Sequence, residues 1–128
     1  MMGEVKETER RAISIAIEYE RKAGRNPQVV SGSGCGYDIE SRTDDGRETR
    51  HIEVKGRGKK NAPHVFLTDD ECSLARTDRQ YWVYLVLGSE DDFHLFAVPG
   101  PIAAENAREE TKWRLPRKIW LRPFRTPA

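Results

Sequence analysis

The chain has 128 residues, of which 34% are charged and 37% hydrophobic, with a formal net charge of +1. That describes one soluble, rather polar domain with a single modest core, and it excludes a polycation that coats nucleic acid by bulk charge. Apolar runs fall short of the ~20 residues a bilayer span needs, and the opening MMGEVKETERR lacks the apolar segment of a secretion signal, so no membrane and a cytoplasmic location are expected.

The spacing predicts a helix from roughly Glu4 to Ala23. Ala12, Ile13, Ala16, Ile17 and Ala23 recur at helical intervals as one apolar stripe, with Glu7, Arg10, Arg11, Ser14, Glu18, Arg21 and Lys22 on the other side. Gly24 and Pro27 stop it. An extended piece, Gln28-Val29-Val30, leads into the glycine-rich loop SGSGCG. Two alternating runs follow, Tyr37–Arg42 and Arg50–Lys55, joined by Asp45-Gly46, a strong hairpin signal. After the basic loop RGKKNAPH comes a short strand, Val65-Phe66-Leu67. Thr68 and Glu71 then have the spacing of a capping box, opening a helix that ends near Thr77. YWVYLVL, Tyr81–Leu87, reads as a central strand buried on both faces. Phe93–Val98 is another strand, Pro99-Gly100-Pro101 a breaker, and Ile102–Glu110 a short helix. Trp113 to Phe124 adds one edge strand limited by Pro116 and Pro123. The expectation is an α/β fold with a mixed central sheet flanked by helices. Its core covers about residues 4–98, with a basic, aromatic extension over 99–128. That extension carries Lys112, Arg114, Arg117, Lys118, Arg122 and Arg125 beside Trp113, Trp120 and Phe124.

The hairpin register carries the chemistry. With Asp45-Gly46 as a two-residue turn, opposed residues have numbers summing to 91. Ile39 then faces Ile52 and Tyr37 faces Val54 on an apolar face. The other face sets Asp38 against Glu53 and Glu40 against His51, with Lys55 two residues beyond Glu53. Two carboxylates directly opposed, their β-carbons roughly 5 Å apart, repel each other and call for positive charge. Lys55 supplies one. A divalent cation would supply more, and Mg²⁺ is commonly held by one or two carboxylates together with waters and phosphate oxygens. The bland alternative is a solvated surface pattern of charges. On the first helix, Glu9 and Glu20 are eleven residues apart, near three turns, and point into the apolar stripe. A core-facing carboxylate needs a partner, so each either reaches water at a helix end or pairs with an arginine, unless one of them projects toward the hairpin carboxylates. Spacing does not choose between them.

Asp38 and Glu53-Val54-Lys55, after a helix bearing a glutamate, resemble the PD-(D/E)xK nuclease superfamily. The wider string YERKAGR, GYDIESR, RHIEVKGR, LTDDE and YWVYLV, over about residues 9–98, resembles the nuclease-related C-terminal domain family of the protein NO VEIN. Tyr37 stands where the superfamily name has proline. The resemblance implies a restriction-endonuclease-like fold and metal-dependent cleavage of phosphodiesters in nucleic acid, DNA foremost. It implies Mg²⁺ or Mn²⁺ on Asp38, Glu53 and the Val54 carbonyl, Lys55 as the catalytic ammonium, and Glu9 or Glu20 completing the site. Domains of this family also stand beside helicases and ATPases, which makes such a protein an expected partner, and two-strand cleavage would suit a homodimer. The alternative is a catalytically silent module of the same fold that binds nucleic acid or the ATPase. Arg57, Lys59 and Lys60 follow the site on a loop where a phosphate backbone could pass. Glu71 reads as a helix cap, although the resemblance implies that the LTDDE segment flanks the site; His51 and His64 read as structural, and Trp113 and Trp120 as core. Cys35 reads as a small buried residue. Cys35 and Cys72 have neither a disulfide framework nor metal-ligand spacing.

Overall fold

A computed structural model describes residues 2–109 and 113–122, with side chains over 7–108 and 113–122. The tail residues Lys112, Pro123, Phe124 and Arg125 lie outside these limits, as does the expected helix end at Glu110. The elements, in chain order, are α1 (Met2–Lys22), β1 (Arg25–Val29), β2 (Ile39–Thr43), β3 (Thr49–Arg57), β4 (His64–Leu67), α2 (Asp69–Thr77), β5 (Tyr81–Gly88), β6 (Phe93–Pro99), α3 (Gly100–Asn106), β7 (Arg108–Glu109), β8 (Trp113–Pro116) and α4 (Arg117–Trp120). Five strands form the main sheet in the order β1-β2-β3-β5-β6. The β3–β5 pair is parallel and the other pairs are antiparallel. Among the described residues, no helix is long and apolar enough to cross a membrane.

Each face of the sheet has its own core. On one face α1 lays Ala12 and Ala16 against Ile39, Ile52, Val54, Trp82, Tyr84 and Val86. Small residues on the helix bring its backbone close to β3. A β-carbon on Gly56 would come within 2.8 Å of the Ala12 Cβ, so only glycine lets α1 lie across the end of β3. The other core gathers Tyr81, Val83, Leu85, Leu87 and Val98 under α2, α3, α4 and the second sheet. Thus β5 is buried on both faces, as its unbroken apolar run requires. The β3–β4–α2–β5 segment is the long crossover that a parallel pair demands.

Several expectations are corrected. Ala23 lies past the end of α1 and is exposed. The hairpin keeps its register, with Ile39 opposite Ile52 and Glu40 opposite His51. Its connection is wider than two residues, however. Thr43 and Glu48 close the ladder, Asp45 folds back onto Thr43 and the Arg47 amide, and Gly46 takes the positive φ of 71°. At the other end the ladder slips by one: the Asp38 amide donates to the Ile52 carbonyl, which the register assigns to Ile39. A one-residue slip turns side chains to the opposite face. Tyr37 therefore does not meet Val54; its ring stacks on His51 at 4.5 Å, over the second core. Gly100 and Pro101 open α3 rather than interrupt the chain, proline being well placed in a first helical turn. That helix ends at Asn106, short of the expected span.

The C-terminal strand is central, not an edge. It pairs with β4 on one side and β7 on the other in a second, three-stranded sheet. Leu115, Ile119 and Trp120 of this segment are buried in the second core. A Trp120→Ala truncation there would cost about 3–5 kcal/mol.

Candidate active site

β2 pairs with β3 only as far as Ile52, so the rest of β3 presents a free edge. Asp38 stands where the two strands part. Its Oδ2 accepts the Val54 amide at 2.8 Å, taking the place of the next ladder carbonyl. In a strand the amide and carbonyl of one residue face the same edge, so the Val54 carbonyl opens beside Asp38. Glu53 and Lys55 alternate onto the face shared with Val83 and Leu85. The result is a cleft of about 260 Å³ lined by Asp38, Glu53, Lys55 and Arg57, with Glu9 across from them on α1 and Glu71 from α2. Asp38, Glu53 and Glu71 also border a more open groove under the glycine-rich loop.

The two helix glutamates have different surroundings. Glu20 is fully buried and held in a bidentate pair by Arg25, at 2.5 and 2.9 Å, with the Tyr84 hydroxyl donating at 2.6 Å. Eleven residues of helix put it about 16 Å further along the axis from Glu9. Glu20 does not line the cleft, whereas Glu9, exposed on the first half of α1, does. Burial accounts for the difference: at Glu20 the sheet supplies a cation and a phenol, and the charge is spent there.

Around Glu53 the balance is reversed. One ammonium faces three carboxylates: Lys55 Nζ lies 2.6 Å from Glu71 and 3.5 Å from Glu53. Burial, reinforced by Asp38 and opposed by Lys55, pushes the Glu53 carboxyl up to about 9. Burial also raises Asp38, although the Val54 amide and Lys55 oppose it. Glu71 is buried too, but its bond to Lys55 and its bond to the Thr68 amide hold it below the ordinary range. The buried acids thus carry more negative charge than their surroundings compensate.

That surplus, with hard oxygen donors only, is the donor chemistry of a Mg²⁺ or Mn²⁺ site, and the residues fit such an ion. Among the described residues no cluster of three or more His, Cys, Asp or Glu side chains is arranged to cage a metal. The protein would therefore supply two carboxylates and a carbonyl, leaving the remaining positions to water and phosphate oxygens, a common arrangement for Mg²⁺.

Around the cleft, Arg57 bonds the Gly56 carbonyl at 2.6 Å and Lys59 is exposed. Lys60 is paired with Asp92 at 2.8 Å. Arg117 of α4 donates to the carbonyls of Lys60 and Ala62, bringing the C-terminal basic segment beside this loop. His51 is fixed by Asp78 at 2.7 Å, and His64 packs edge-on against Phe66. Cys35 is half-buried, accepting from the Ser33 hydroxyl. Trp113 donates its indole N–H to Asp69. Glu71 is the residue sequence reasoning undervalued. Thr68 and Glu71 do form the capping box, but the same carboxylate reaches Lys55 on β3, a contact across sixteen residues. The only signal was its place in LTDDE, part of the wider string.

A family model described as "Protein NO VEIN, C-terminal" matches residues 8–98. Among solved structures, the chain is similar to Archaeoglobus fulgidus Hjc, a Holliday junction resolvase from an archaeal hyperthermophile. The TM-score is 0.63 at 22% identity, covering 88% of this chain and 87% of that one. At such identity the likeness establishes the fold, a mixed α/β, restriction-endonuclease-like arrangement. No curated protein matches the chain.

Proposed function

The chain belongs to the NO VEIN C-terminal family, and from that premise we propose that it is a metal-dependent nuclease acting on nucleic acid, DNA foremost. The observation that carries this reading is the convergence of Asp38, Glu53, Lys55 and Glu9 on one cleft at the free edge of β3. The resolvase likeness supports the fold on which such a site is built.

Asp38, Glu53 and the Val54 carbonyl would hold Mg²⁺ or Mn²⁺. When bound, the ion supplies Lewis-acid chemistry, drawing charge from a phosphate and easing deprotonation of water. Lys55 places its ammonium where negative charge develops on the phosphate and stabilises it there. Glu9, across the cleft, orients a water by accepting its hydrogen bond. Arg57 takes a phosphate oxygen at the cleft mouth, and Lys59, Lys60 and the neighbouring Arg117 continue the track without reading sequence. Glu20 has no part in this chemistry.

The test is incubation with supercoiled plasmid, single strands and a four-way junction in Mg²⁺, Mn²⁺ or EDTA, beside a Lys55→Ala control. The proposal expects cleavage with either metal, none in EDTA, and a loss in the control. Equal binding by both proteins with no cutting by either would instead favour a silent binding module. Lys55 bonded to Glu71 is the arrangement that would fit that outcome.

A further inference from the structure

Among the described residues, Glu71 is a helix cap whose carboxylate also enters the cleft. Its Oε1 accepts the Thr68 amide at 2.9 Å, closing the capping box that begins α2, and accepts Lys55 Nζ at 2.6 Å. The side chain is 15% exposed, as little as Lys55 at 14%. A carboxylate needed only to cap a surface helix could serve equally well in water. Here it is drawn under the sheet, and the bond to Lys55 joins two elements sixteen residues apart in the chain.

Lys55 has a flexible four-carbon stem, and its ammonium can swing through many rotamers. Glu53, at 3.5 Å, is the weaker of its two anionic contacts. Resting on the nuclease reading above, we propose that Glu71 is a positioning residue: it fixes the Lys55 ammonium at the cleft and ties it to the first turn of α2. The Thr68 backbone amide makes this anchor stiff, since it donates to the same carboxylate oxygen and holds it in one orientation. Misplacing a catalytic group by about 1 Å costs on the order of a hundredfold in rate. Holding the ammonium therefore matters to turnover while leaving affinity for DNA largely alone.

Two substitutions separate this role from capping. Glu71→Gln keeps the volume and an acceptor for the Thr68 amide, because glutamine also serves in capping boxes, but removes the charge that grips Lys55. Thr68→Ala weakens the cap and leaves the carboxylate in place. The measurements are the melting temperature, duplex affinity in EDTA, kcat in Mg²⁺, and labelling of the Lys55 amine by reductive methylation, read by mass spectrometry. Glu71→Gln is expected to melt near the wild type, bind DNA equally, turn over about ten- to a hundredfold more slowly, and show faster labelling of Lys55. Thr68→Ala is expected to melt several degrees lower with wild-type kcat and labelling. Unchanged kcat and labelling in Glu71→Gln would overturn the proposal and leave Glu71 a cap. If the wild type cuts nothing while Lys55 labelling still rises in Glu71→Gln, the nuclease reading falls and the placement of Lys55 by Glu71 stands.

Discussion

The main sheet buries carboxylates in two places, and the two are treated oppositely. On the α1 face, Glu20 and Glu48 meet Arg25 and Arg50, and the Tyr84 hydroxyl links Glu20 to Arg50. Arg50 also lies flat on Trp82, 3.8 Å from the ring centre. Two cations answer two carboxylates. Burial alone would raise the Glu20 carboxyl, yet the bonds from Arg25 and Tyr84 hold it below the ordinary range. At the free edge of β3, Asp38, Glu53 and Glu71 share the single ammonium of Lys55, and Glu53 rises to about 9. A balanced cluster closes a structure. An unbalanced one at the border of a cleft stores a demand for a cation.

Glu20→Ala strips the mostly buried Arg25 of its bidentate partner, leaving it the longer contact with Glu48, and should cost about 3–5 kcal/mol in urea unfolding, with specific activity of the remaining folded protein unchanged. Lys55→Ala should do the reverse. Cleavage is expected to fall about a hundred- to a thousandfold in a steady-state assay of matched folded protein, far more than the accompanying loss in unfolding free energy accounts for.

The pH dependence sharpens the contrast, because the two clusters have opposite signs. In EDTA the folded protein keeps a proton on Glu53 up to about pH 9, while an unfolded carboxyl releases it near 4.5. Between those values the folded state binds more protons, so this group makes the metal-free protein less stable as pH rises. The Glu20 carboxyl titrates below 4.5 in the folded state. Its contribution is complete above that pH and is lost as pH falls through the lowered value. Urea unfolding in EDTA across this range would resolve both slopes. The smallest effect is at Asp38: Asp38→Asn keeps an acceptor for the Val54 amide and removes one excess charge. It should leave the metal-free protein within about 1 kcal/mol of wild type, neutral or slightly more stable.

Local patterns were the legible part of this fold. The pairing of Ile39 with Ile52 follows from alternation, and the capping box from two residues three apart. The YWVYLVL strand is read from its unbroken apolar run. What stayed hidden depends on partners distant in the chain. Glu9 and Glu20 look alike on a helical wheel, and only Tyr84, sixty-four residues on, and Arg25 decide that Glu20 is consumed by the sheet. Asp38 was placed opposite Glu53 by extending a ladder that in fact slips at Asp38, where Tyr37 turns to stack on His51. The carboxylates still meet, because the Asp38 side chain reaches the Val54 amide from the bulged position. The role of residues 113–120 was invisible because β8 pairs with β4, some fifty residues earlier.

The account stands on the claim that the three acids beside Lys55 hold a proton in place of a divalent ion. Calorimetric titration of the metal-free protein with Mg²⁺ near about pH 8, in two buffers of different ionisation enthalpy, measures binding and proton release together. Uptake of the ion with release of approximately one proton, both lost in Asp38→Asn, is the predicted result. Equal Mg²⁺ binding by Asp38→Asn, or no binding by the wild type, would contradict it.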